Sequence, residues 1–89
     1  MDYYYMKGGP MTRKAVQTFS ESMEQKLILN DRKGGWDPDK CSYEYLRKRL
    51  IEEVLEFLRT GEAEELVDIS NFSMMLWTRK RKLGKEFYR

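Results

Sequence analysis

The sequence predicts an all-α fold, a helical hairpin protomer with an additional N-terminal helix, on three observations. Apolar residues recur at helical spacing in three separate stretches. Glycines and prolines fall between those stretches, and the last stretch opens with acids and closes with bases, as a helix dipole favours. With 89 residues, 36% of them charged and 40% apolar, the chain has room for one domain with a thin core and no second one.

Residues 1–11 read as a flexible N-terminal arm, because MDYYYMKGGP ends in Gly8, Gly9 and Pro10, which favour a turn over a continuing element. Residues 12–89 form the single domain. Its first helix runs from about Thr12, a plausible cap, to Arg32. Ala15, Phe19, Met23 and Leu27 recur along it every four residues, Val16 and Ile28 widen the stripe, and Lys14, Gln17, Glu21 and Gln25 lie opposite. Lys33-Gly34-Gly35-Trp36-Asp37-Pro38 stops that helix and holds a large aromatic in a loop. Ser42 caps a second helix reaching about Arg59, with Leu46, Leu50, Val54 and Leu58 as its apolar row. Thr60-Gly61 is the only break before a third helix, from Glu62 to about Leu83, which Gly84 ends. So short a connection makes the second and third helices antiparallel.

Composition excludes several kinds of chemistry. There is no histidine and one cysteine, Cys41, so a zinc finger, a Ser/His triad and an internal disulfide are all absent. Apolar runs such as Met74–Trp77 fall far short of the roughly 20 residues a membrane-spanning helix needs. No charged start followed by an apolar stretch resembles a signal peptide. The expected setting is cytoplasmic, with no membrane partner, and the chemistry falls to carboxylates, lysines and arginines. Their distribution is uneven: Glu52 to Asp68 holds seven acids against one base, whereas Arg79 to Arg89 holds six bases against one acid.

On the second helix Glu52, Glu53 and Glu56 fall within an arc of about 100°, and on the third Glu65 and Asp68 lie about 60° apart with Asn71 a further turn along. Two pairs of acids, Glu53/Glu56 and Glu65/Asp68, thus stand on the two arms of one hairpin, where four carboxylates can converge. Mg²⁺ takes hard oxygen ligands and keeps waters that substrate phosphates can replace, so an ion would relieve the mutual repulsion of such a group. A solvated helix face is the other reading of the second helix, since Lys48, Arg49 and Arg59 share its polar side. Asp68 differs. It is flanked by Leu66, Val67, Ile69, Phe72, Met74, Met75, Leu76 and Trp77, and a carboxylate buried there has to be paired, protonated or bound to metal. A salt bridge to Arg47 or Arg49 would serve as well as an ion.

The run Glu52-Glu53-Val54-Leu55-Glu56 followed by Glu65-Leu66-Val67-Asp68 resembles the EExxE…ExxD signature of the all-α nucleoside triphosphate pyrophosphohydrolases, the MazG-like and dimeric dUTPase-like group. Lys33-Gly34-Gly35-Trp36 and Asp68-Ile69-Ser70-Asn71-Phe72-Ser73-Met74-Met75 are similar to its phage and archaeal MazG-like subgroup, so the likeness spans roughly Phe19 to Leu76. What the resemblance implies is cleavage of a nucleoside triphosphate between the α and β phosphates with Mg²⁺, or Mn²⁺ in its place. It makes Glu53, Glu56, Glu65 and Asp68 the metal ligands, adds Glu52 as a further catalytic acid, and directs Asn71 to a substrate sugar or phosphate. Only eight residues separate Glu56 from Glu65, fewer than is usual in that group, so both helix ends at the hairpin are expected to be short.

Other residues carry two readings each. Lys33 and Trp36 suit a phosphate contact and a base-stacking indole, or a loop anchored by a buried Trp. Asn30 faces either ligand or backbone. Arg79, the first of four consecutive bases, either clamps phosphates or belongs to a solvated helix end. A third helix that is apolar nearly all round is not covered by two neighbours, so a homodimer or tetramer completing four-helix bundles is expected. The expected function is therefore a nucleotide pyrophosphohydrolase that cleanses or balances the nucleotide pool. The alternative is a non-catalytic helical module, a protein adaptor or a binder of nucleic acid through the basic end, though no nucleic-acid-binding fold is recognisable.

Overall fold

The computed structural model of the chain describes residues 5–6, 9–10, 12–30 and 35–88. Three helices dominate these residues: α1 (Lys14–Leu29), α2 (Tyr43–Thr60) and α3 (Ala63–Arg81), followed by a 3₁₀ turn at Lys85–Phe87. Within the arm, a two-residue strand β1 (Tyr5–Met6) pairs antiparallel with β2 (Gly9–Pro10). Lys33 lies outside the described residues. None of the described helices is long and apolar enough to cross a membrane.

The hairpin is set by its caps. Ser42 Oγ accepts a hydrogen bond from the Tyr45 amide at 3.0 Å, which fixes the start of α2 as the sequence predicts. At the other end Gly61 adopts φ 69°, the left-handed conformation that ends a helix at little strain only for glycine, and its amide donates to the Phe57 carbonyl at 2.7 Å. Only Gly61 and Glu62 link α2 to α3, so the helices double back and pack along one another.

Two other ends differ from expectation. α1 begins two residues after Thr12, with Arg13 at the cap position and no side chain accepting from its first amides. It closes at Asn30, whose Nδ2 donates to the Lys26 carbonyl at 2.9 Å, so this side chain contacts backbone. α3 stops at Arg81, three residues before Gly84. Lys82 takes the left-handed conformation (φ 55°), its amide donates to the Arg79 carbonyl, and the Leu83 amide reaches back to Thr78 O at 3.4 Å. That early turn sends the C-terminal segment back over the body of the protein.

The core cluster joins Trp36, Leu46, Met75 and Tyr88, with Leu27, Cys41, Phe72, Met74 and Leu76 packed against it. Leu46 is the most enclosed, at 1% exposure, and a leucine buried to that degree contributes about 1.5–3 kcal/mol. The apolar row of α2 does not run as the strict four-residue spacing predicts. At 3.6 residues per turn such a row drifts by about 40° at each step. The sheltered row is instead Leu46, Leu50, Glu53 and Phe57, spaced four, three and four, while Val54 and Leu58 turn outward. Two things follow. A carboxylate enters the sheltered side of the hairpin, and Ile51, Leu55 and Leu58 form a second apolar strip that is 58%, 60% and 73% exposed.

Candidate metal centre

Glu53, Glu65 and Asp68 come together because the shifted register of α2 aims Glu53 at α3, where Glu65 and Asp68 are one turn apart. One carboxylate oxygen from each lies within 4.8 Å of the others. An octahedral Mg²⁺ holding oxygens at about 2.0–2.1 Å spans about 4 Å between opposite ligands, so modest side-chain rotation brings this set into range. Hard anionic oxygens are also the donors that ion prefers. The residues present therefore fit a magnesium or manganese ion.

The remaining predicted acids sit differently. Glu56 is outside this group of three and pairs with Arg59 of its own helix. Glu52 is bound by Arg49 at 2.7 Å and approached by Lys48 at 3.8 Å. The hydrogen bond from Arg49, helped by the charges of Lys48 and Arg49, pulls the Glu52 carboxyl below its ordinary range. Arg49 also donates to Glu53 at 2.9 Å and lies over the Phe72 ring at 5.1 Å, and these acids hold its guanidinium still more firmly charged.

Glu65 behaves oppositely. Desolvation, hydrogen bonding with Glu53, and the charges of Glu53, Glu56 and Asp68 all push its carboxyl upward. Among the described residues no salt bridge compensates it. Asp68 is about three-quarters buried, and its counter-charge is neither Arg47, which pairs with Glu44, nor Arg49. Lys26 of α1 fills that role, its Nζ 3.2 Å from one Asp68 oxygen and 3.4 Å from the other, with Glu64 at 3.5 Å. Burial works against the Lys26 charge, but the hydrogen bonds and charges of Asp68 and Glu64 outweigh it and raise its pKa overall. Sequence reasoning missed this residue, although Lys26 follows Met23 by three and precedes Leu27 by one, on the edge of the apolar stripe.

One turn past Asp68, Asn71 is 5% exposed. Its Nδ2 donates to the Met23 carbonyl of α1 at 3.2 Å, and its buried Oδ1 has no partner among the described residues. Trp36 is buried in the core, edge-on to Tyr88 with ring centres 5.0 Å apart. Arg79 is turned inward to the same place. Its guanidinium donates to the carbonyls of Trp36, at 2.8 Å, and Cys41, and lies 5.8 Å from the Tyr88 ring. A shallow hollow of about 440 Å³ opens elsewhere, on the outer side of α2 between Glu44, Arg47, Lys48, Ile51 and Glu52.

No family model matches the chain, and no curated protein and no solved structure matches it either.

Proposed function

We propose that this chain is a Mg²⁺-dependent nucleoside triphosphate pyrophosphohydrolase of the MazG-like all-α kind, converting a (d)NTP to the monophosphate and pyrophosphate. The observation that carries the reading is the convergence of Glu53, Glu65 and Asp68 from two adjoining helices, with oxygens within 4.8 Å and too few cations beside them to neutralise them. A cluster that repels itself is favoured by a bound cation. When present, Mg²⁺, or Mn²⁺ as a substitute, neutralises the triphosphate and polarises the bond under attack. Glu53, Glu65 and Asp68 would hold it, with Glu56 and Glu52 as outlying acids.

One carboxylate of the group would take the proton of the attacking water. Asn71, which the resemblance directs to a substrate sugar or phosphate, lies one turn past Asp68 with its side chain buried against α1. Assembly into a homodimer or tetramer through four-helix bundles is part of the proposal, supported by the exposed strip Ile51, Leu55 and Leu58 and by Leu66 on α3. So is a cytoplasmic role in cleansing the nucleotide pool. Nucleic-acid binding draws less support, since Arg79 is engaged by internal carbonyls and Arg81 lies over Trp77 at 5.3 Å.

The test is release of pyrophosphate from a panel of dNTPs with Mg²⁺. Turnover is expected, and Asp68→Asn and Glu65→Gln should each reduce it at least about a hundredfold. Undiminished turnover in both variants would overturn the assignment.

A further inference from the structure

The contacts of α1 bear on the acidic cluster. None of the residues of α1 is fully buried, and among the described helices its main packing is on α3. Its polar ties to α3 are two, the Asn71 amide on the Met23 carbonyl and, one turn on, Lys26 on Asp68 and Glu64. The second tie uses a carboxylate of the triad. The ammonium lies 3.2 Å from one Asp68 oxygen and 3.4 Å from the other, so it engages the whole carboxylate.

Resting on the metal reading above, we infer that Lys26 is the resident cation of the cluster, exchanged for the divalent ion when the site fills. The ammonium and the ion need the same lone pairs on Asp68, and two cations on one carboxylate repel each other. Lys26 is the partner that gives way. Its side chain is 27% exposed, a long flexible stem can swing to solvent, and a partly exposed ion pair holds weakly. Because that pair is one of the two polar ties between α1 and α3 among the described residues, loading the site loosens α1 at its Lys26 turn. By linkage, undocking α1 tightens ion binding to the same degree.

Mn²⁺ binding measured by calorimetry at fixed pH, on the full chain without nucleotide, tests the exchange. Lys26→Met keeps the stem and removes the charge, and should bind Mn²⁺ about tenfold more tightly than the parent. Lys26→Arg retains a cation and should bind about as the parent does. Hydrogen exchange supplies a second readout that needs no variant: Mn²⁺ should speed exchange of the α1 amides around Lys26 while slowing those around Asp68 in α3. Equal or weaker Mn²⁺ binding by Lys26→Met, or α1 amides slowed by the ion, would overturn the exchange while leaving the metal site standing. No Mn²⁺ binding by either protein at millimolar concentration would instead remove the metal reading, and the exchange with it.

Discussion

The two ends of α3 treat charge in opposite ways. Toward its C-terminus a single cation, Arg79, is turned inward and partly buried, donating to the carbonyls of Trp36 and Cys41 beside the ring of Tyr88. Toward its N-terminus Glu65 and Asp68 meet Glu53 with one ammonium and a shared guanidinium for compensation. The first arrangement closes a structure, since every group it buries except the Arg79 Nε finds a partner. The second leaves negative charge uncompensated. Buried polar groups that satisfy one another hold a fold together, whereas an excess of one sign is what a ligand can relieve.

The sharpest way to break this contrast is Arg79→Met. It strands the Trp36 and Cys41 carbonyls and should lower unfolding free energy by about 2–4 kcal/mol in urea titration, with no change in Mn²⁺ affinity. A loss below 0.5 kcal/mol would mean that the inward arginine is dispensable. Next in size is Tyr88→Leu, which keeps apolar volume but removes the edge-on contact with Trp36 and the ring under Arg79. About 1 kcal/mol of destabilisation is expected, read from the same titration and from the emission of Trp36.

The smallest effect has the opposite sign. The folded Glu65 carboxyl is raised above 4.5, so above that pH the unfolded chain gives up its proton while the native protein keeps it. The native state then binds more protons, and stability falls as pH rises from about 4.5 until native Glu65 has also ionised. Glu52, lowered by Arg49, contributes its slope only below that window, where stability falls as pH falls. Glu65→Gln should therefore flatten the decline above pH 4.5 and raise the urea midpoint at neutral pH in the absence of divalent ions. A lower midpoint would show that the carboxylate is not under strain.

Much of the hairpin was legible from local chemistry. Ser42 and Gly61 specify their caps by side-chain oxygen and by freedom at positive φ, neither of which depends on the rest of the chain. Glu65 and Asp68 share a face by their spacing alone. The rest depends on tertiary contacts. A row spaced by fours drifts around a helix, so Leu58 and Val54, apolar by pattern, face outward and Glu53 takes the sheltered place. Lys26 was hidden because its partner Asp68 is 42 residues away on another helix. Trp36 suited either a ligand or the core, and only the return of Tyr88 across the body of the protein places it in the core, with the partly buried Arg79 donating to its carbonyl.

The two-residue link at Gly61 and Glu62 has a consequence for how the site arises. All three carboxylates belong to positions 53 to 68, so closing one tight hairpin is enough to assemble them. The entropy lost in closing so short a loop is small, and contacts this local form early when a chain folds. The acidic cluster can therefore exist before α1 has docked, which leaves the arrival of Lys26 as a late event in folding.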